Sequence, residues 1–435
     1  MTLQEFQSAA KTTAKGYQKI TAFCSVVVRY SARDDTKDIH WCWVDTCCID
    51  KTSSAELSEA VNSMDKWYAN AEYCVAHLAD VVRTSAEHSA LNTPTGKPSE
   101  WFSRGWTLQE LVFSTKLFFC DASWALIPGV DKRTDTGSAL ISAVTHIPVD
   151  CLKDSQNVHL HCVASKMSWA AARHITRKED EAYCLLGLFK INMPLLYGEG
   201  KRAFFRLPKE IIDQYEDETI FAWQDMDPML VPPDRLNRRP VAMPILAPHP
   251  GWFVYKTRRS TKPVLLDARP PYRLTNRGLE IEACAMALYP YSVADMASWT
   301  PAVRLLEDEL LVIQLNCCAS FEGPRNGIMQ DPSVWQPWTI ALRRLFSPDQ
   351  AAIYVRVLCW ATGSTLSSHL KTIVQNDPKV RVRSEPRDKY HIVATTEQMD
   401  LLARQPGAYD ADAYSGHVQT LDEMCNSFAS LASGQ

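Results

Sequence analysis

The sequence predicts an α/β fold, a parallel sheet flanked by helices, continued by a helical extension and then by a β-rich second domain. Three observations predict it. The run IHWCWVDT (39–46) is aromatic and β-branched and ends in an acidic residue, the pattern of a buried strand. A helical pattern and a second apolar run, YCVAHLA (73–79), follow, and the strand–helix–strand length suits a right-handed crossover between parallel strands. After about residue 225 the texture changes to short alternating apolar runs with turn residues between them, as in a sandwich or barrel. The expected divisions are 1–112 for the α/β domain, 113–225 for the extension and 226–435 for the β-rich domain.

Taken in order, the helix after the first run is marked by Ser53 and Glu56 at capping-box spacing. Leu57, Ala60, Val61, Met64, Trp67, Tyr68 and Ala71 then recur at helical intervals. Residues 83–99, with Ser, Asn, Pro and Gly, read as a loop. A helix from near Ser103 through WTLQELV precedes the apolar strand KLFFC (116–120). Thr176 and Glu179 repeat the capping-box spacing ahead of EDEAYCLLGLF, and Met193-Pro194 should end that element. Residues 201–215 look helical, with Pro208 at a start or a kink. In LEIEACAMA (279–287), Leu279, Ile281, Ala283 and Ala285 share one face of a strand and Glu280 and Glu282 the other; ELLVIQL, WTIAL and AIYVRVLCW read similarly. The tail from about 415 is expected to be loosely held.

Across its 435 residues the chain is 46% hydrophobic and 22% charged, the balance of a globular protein of two or three domains. With 46 basic and 50 acidic side chains the formal charge is −4, which argues against nucleic acid as a partner. The N-terminal stretch lacks the apolar core of a secretory signal, and no uncharged apolar run approaches the ~18 residues of a membrane span. The 14 cysteines form no compact framework, so a reducing cytoplasm with free, mostly buried thiols is expected.

Few residues invite chemistry. Asp45 ends the first apolar run, and ligands of open α/β sheets bind beyond the carboxyl ends of strands; the alternative is a turn cap or an arginine partner. Asp50 reads as a structural acid satisfying loop amides. Glu110, among Trp106, Leu108, Leu111 and Val112, is a carboxylate in apolar company, so either it pairs with Arg104, Arg173 or Arg177, or it belongs to a site. Arg104 and Trp106 have the chemistry to hold a phosphate and stack a base. His40, Cys42, Cys47 and Cys48 match no zinc spacing and read as packing residues. GEGK (198–201) lacks the further glycine and hydroxyl of a phosphate loop and reads as a turn.

WCWVDTCCIDK (41–51), SMDKWYANAEYCVAHLADV (63–81) and WFSRGWTLQEL (101–111) together resemble the heterokaryon incompatibility (HET) domain of fungi. SKMSWAAARHITRKEDEAYCLLGLFKINMPLLYGEGKRAFFRL (165–207) is similar to the extension that follows it, and TNRGLEI (275–281) and LVIQLNCC (311–318) to a β-rich accessory region. The resemblance implies a sheet like that of Toll/interleukin-receptor (TIR) domains. The family's opening strand has no counterpart between Met1 and Tyr17, so the implied sheet lacks its first strand and exposes an edge. The function it implies is an effector of programmed cell death in vegetative incompatibility or an innate-immune-like response, with NAD cleavage on self-association. A non-enzymatic self-associating module, or a truncated inactive paralogue, is the alternative. On this reading Glu110 and Asp45 are catalytic, Glu110 stabilising the oxocarbenium-like ribose as nicotinamide leaves, and Arg104, Trp106 and Gln109 bind substrate. No metal or cofactor is implied, NAD being a substrate. The expected partner is another copy or a second protein, with neither nucleic acid nor a membrane span.

Overall fold

A computed structural model describes residues 2–8, 13–31, 39–82, 90–223, 241–253, 261–266, 268–290, 310–320, 324–325, 328–329, 335–344, 353–358, 380–392 and 394. The chain forms two compact units: Met1–Leu160 with Arg173–Ala203, and His161–Ala172 with Phe204–Gln435. Residues of the expected extension are thus shared between them. Among the described residues no helix is long and apolar enough to cross a membrane.

The first unit begins with α1 (Leu3–Gln7), α2 (Lys15–Ser31) and a four-residue α3 (Asp45–Cys48). α4 (Ser54–Asn70) starts where the sequence places it, because the Ser53 hydroxyl accepts the Glu56 amide at 3.3 Å while the Glu56 carboxylate accepts the Asp50 amide at 2.7 Å. The Asp50 carboxylate in turn accepts the Thr52 amide and hydroxyl at 2.9 and 2.7 Å, the structural role expected of it. Ala60, Val61 and Met64 bury one face of α4, which packs against α5 (Thr107–Phe113) and, further along, α10 (Leu186–Phe189).

Between α4 and α5 lies β1 (Cys74–His77), paired in parallel with β2 (Leu117–Cys120) in the register Cys74↔Leu117 through His77↔Cys120. The connection carries a 3-10 turn (Glu100–Ser103) and then α5, so the parallel crossover exists, one element later in the chain than the sequence indicates. The expected strand at 39–46 does not form. Residues 39–44 adopt neither helix nor strand, and Asp45 opens α3 instead of closing a strand. An apolar β-branched run becomes a strand only with a backbone ladder beside it, and β1 is laddered to β2 alone among the described strands.

α6 (Asp135–Thr145), α7 (Val149–Lys153), α9 (Asp180–Tyr183) and α10 complete the first unit, while α8 (Val163–Ala170) belongs to the second. The second capping box is another correction. Glu179, not Thr176, precedes α9, and its carboxylate accepts the amides of Gly198 and Gly200 at 2.8 and 2.9 Å. It closes GEGK as the expected turn, with Gly198 and Gly200 at φ of +106° and +62°.

The second unit continues through α11 (Arg202–Gln214), which carries Pro208 inside it, into a mostly antiparallel sheet. Its strands are β3 (Val241–Met243), β4 (Thr261–Pro263), β5 (Arg273–Thr275), β6 (Gly278–Pro290), β7 (Leu310–Ser320), β10 (Trp335–Arg344), β11 (Ile353–Leu358) and β12 (Val380–Ile392), with β8 (Pro324–Arg325) and β9 (Ile328–Met329) forming a separate ribbon. The order is β4-β7-β10-β11-β12-β6-β5, and β6 also pairs with β7, so five strands close a ring. Leu279, Ile281, Ala283 and Ala285 are all buried, the alternation read from the sequence. The expected tail beyond 415 lies outside the described residues, as do 83–89 of the expected loop.

Candidate functional site

A cavity of about 800 Å3 lies in the first unit, within the range of small-molecule sites. Its lining comes from α2, segment 39–45, the end of α4, the start of β1, Glu110 of α5, and Trp124. Trp43 meets Trp67 at 5.2 Å and Tyr68 at 5.8 Å between ring centroids, both edge to face. Trp124, at a φ of +63°, stacks on His77 with centroids 4.0 Å apart and planes 6° from parallel. Trp41 lines the cavity yet is 91% exposed, so the site opens to solvent.

Both predicted carboxylates line this cavity. Asp45 arrives as the first residue of α3, directly after the extended Val44 (φ −137°, ψ 120°). Glu110 arrives because α5 buries Leu108, Leu111 and Val112 on its inner faces and leaves position 110 between them and the opening. The Glu110 carboxyl hydrogen-bonds with the Tyr68 hydroxyl. Burial, then the Asp45 charge, pushes Glu110 up to about 7 against the opposing pull of Arg104, Tyr68 and Arg173. A carboxyl in that range can give or take a proton near neutrality. Burial and the Glu110 charge hold the Tyr68 phenol well above its ordinary range.

The three expected substrate-binding residues stand elsewhere. The Gln109 amide is buried, donates to the Cys184 carbonyl at 2.9 Å and sits against Gly187, where a Cβ would come within 3.1 Å of its Oε1. Successive residues of a helix point about 100° apart, so α5 cannot turn both 109 and 110 into one cavity. Arg104 and Trp106 precede α5 and do not line the cavity either. Arg104 contributes its carbonyl, which accepts from Arg173 Nη1 at 2.9 Å; the same nitrogen donates to the Thr107 hydroxyl at 3.1 Å. The buried Arg173 thereby fixes the entry to α5, its guanidinium drawn down to about 10 by burial. Arg177 stacks over the Tyr197 ring at 4.8 Å.

Two cysteines read as buried packing residues are exposed and line the cavity, Cys42 and Cys48. Cys42 Sγ lies 3.7 Å from Cys24 Sγ, and burial together with that neighbour pushes the Cys42 thiol up to about 11. A protonated thiol is a poor nucleophile, so Cys42 is held in its unreactive form. Sequence reasoning missed the aromatic walls. Tyr68 and Trp67 fit the helical period and read as core, and nothing local links Tyr68 to Glu110, 42 positions on.

Residues 3–100 match the model of the family described as heterokaryon incompatibility protein (HET). Over 201 residues the chain is 40% identical to the vegetative incompatibility protein HET-E-1 of Podospora anserina, a match covering 45% of this chain and 14% of that protein. The chain therefore spans a small part of its curated relative's length. No solved structure matches it. The segment that supplies Asp45, Trp43, Trp67 and Tyr68 to the cavity lies within the residues that match the heterokaryon incompatibility family model.

Proposed function

We propose that this chain is an effector of programmed cell death in fungal vegetative incompatibility or a related innate-immune-like response, and that its first unit acts as a TIR-like NAD-cleaving module on self-association. The observation that carries the enzymatic part is the meeting of Asp45 and Glu110, from separate elements, in one solvent-open aromatic cavity. The similarity to a vegetative incompatibility protein supports the biological setting. In this reading NAD is the substrate and no resident cofactor takes part. Glu110 faces the developing ribosyl cation, where its carboxylate, in the ionised form, stabilises the transition state more than the ground state. Asp45 orients water or the ribose hydroxyls at the mouth of the cavity.

The test is to express the chain in fungal hyphae, and as purified protein with and without forced clustering, and to follow NAD and viability. The expected result is NAD loss on clustering, reduced at least ~100-fold in Glu110→Gln, a usual scale for losing a transition-state charge. Cell death that persists at constant NAD and survives Glu110→Gln would assign the chain to non-enzymatic signalling by self-association.

A further inference from the structure

We infer that the cavity of the first unit is a receptor site for a small organic cation, a quaternary ammonium or alkylated pyridinium, held between its aromatic walls and its two carboxylates. The inference rests on the cavity being a ligand site, as in the proposed function, but not on any cleavage of NAD.

Four observations carry it. First, the walls present rings at steep angles to one another: Trp43 meets Trp67 at 67° and Tyr68 at 88°. A corner of ring faces attracts a cation through their quadrupoles, and quaternary ammonium groups are recognised in this way. Second, the charge of the lining is negative. Asp45, Glu72 and Glu110 face it against one lysine, Lys19, and Glu72 is already engaged by Lys116 at 2.7 Å. Third, the two remaining carboxylates repel each other, and among the described residues no ion pair closes on either. Arg104 and Arg173 act on Glu110 only at a distance, since the Arg173 head group is directed to the Arg104 carbonyl and the Thr107 hydroxyl. A bound cation would supply the charge the fold leaves out. Fourth, the size suits a small molecule, about 800 Å3 with access past the exposed Trp41. An apolar ligand would make use of the rings but would leave the Glu110 carboxylate desolvated beside it without compensation.

The groups that set the pH response face Glu110 from every side: Asp45 of α3, Tyr68 of α4, Cys74 of β1, and Arg104 and Arg173 behind α5. A cation binds the ionised carboxylate, so its affinity should fall as the pH drops below about 7.

The experiment is calorimetric titration of the full chain with choline and with N-methylnicotinamide, each beside its neutral counterpart, 3,3-dimethylbutan-1-ol and nicotinamide. The expected result is saturable binding of a cation at least ~10-fold tighter than its neutral partner, the scale of a desolvated cation–π contact. That preference should disappear in Glu110→Gln and weaken in Trp43→Leu. Both variants are checked for unchanged circular dichroism, and Asp45→Asn, at an exposed position, serves as a second reading. Equal affinity for charged and neutral partners, or no saturable binding of either cation, would overturn the inference. A trimethyl-lysine peptide that binds more than ~10-fold tighter than choline would overturn the assignment to a free small molecule. Cation binding with NAD left intact would defeat the enzymatic proposal while leaving this one standing; NAD cleavage without cation preference would do the reverse.

Discussion

Two glutamates in the two units show how differently one side chain can be used. Glu218, in the second unit, is almost wholly buried and saturated with partners. It pairs with Arg269, whose Nε donates at 3.0 Å, and it accepts the amide and side chain of Asn316 at 2.7 and 3.1 Å. It ties a 3-10 turn (Glu218–Phe221) to β7. The neighbouring Arg356 is equally occupied: its guanidinium donates to the Phe221 and Trp223 carbonyls at 2.9 and 2.7 Å and lies 3.7 Å from the Trp223 ring. Glu110 in the first unit has a phenol for company, a like charge nearby and an open cavity in front. A carboxylate saturated by its own chain holds the chain together; one left short of partners is available to something else.

The comparison can be broken by mutation. The largest effect should come from Glu218→Ala, which leaves the Arg269 guanidinium buried without its counter-charge. Loss of one partner of a buried pair costs about 3–5 kcal/mol, visible in urea denaturation as an earlier transition of the second unit. Next is the pH dependence of the first unit. Glu110 binds its proton more tightly when folded, at about 7 against an ordinary 4.5, so the folded state carries more protons between those values. Its contribution to stability is therefore complete below 4.5 and is lost as the pH rises to about 7, a decline of about 3 kcal/mol in all. Thermal melts across that range should show the decline in the native protein and a flat profile in Glu110→Gln; parallel profiles would mean that Glu110 is as well satisfied as Glu218.

A smaller loss should follow Lys132→Met. The buried Lys132 ammonium donates to the Leu111 and Val112 carbonyls at 2.8 and 3.1 Å, satisfying the C-terminal end of α5. Two buried acceptors left without a donor should cost roughly 1–3 kcal/mol, measured by the same denaturation. Trp41→Ala should be the mildest, within about 0.5 kcal/mol of the native protein, because the ring is 91% exposed. Its effect should appear in choline affinity instead. A Trp41→Ala protein that is markedly destabilised would show the ring to be packing rather than a wall of the site.

How much of this was legible in the sequence depended on range. α4 was readable because its start is sealed by Ser53 and Glu56, three residues apart, and its buried face repeats locally. β6 was readable because alternation is a property of the strand itself. The 39–46 run was misread because its strand character required a ladder partner that composition does not reveal. Asp45 and Glu110 were paired by supposing a strand exit; they do meet, but by way of a short helix. Gln109 stands next to Glu110 in sequence, but the rotation of α5 turns it away, while Arg104 and Trp106 precede that helix and do not line the cavity. The aromatic walls were invisible because Trp43 and Tyr68 lie 25 positions apart and read as core in either place.

The turn held by Glu179 carries one more consequence. Loop amides that converge on one point make a cradle for an anion, and the amides of Gly198 and Gly200 converge on a single oxygen. Here the cradle is occupied from within, since one Glu179 oxygen already takes both amides. A phosphate arriving at this loop would have to displace a carboxylate tethered 19 and 21 residues away on the same chain. The protein thus spends an internal carboxylate on these amides, which makes GEGK a pinned turn and not an anion site.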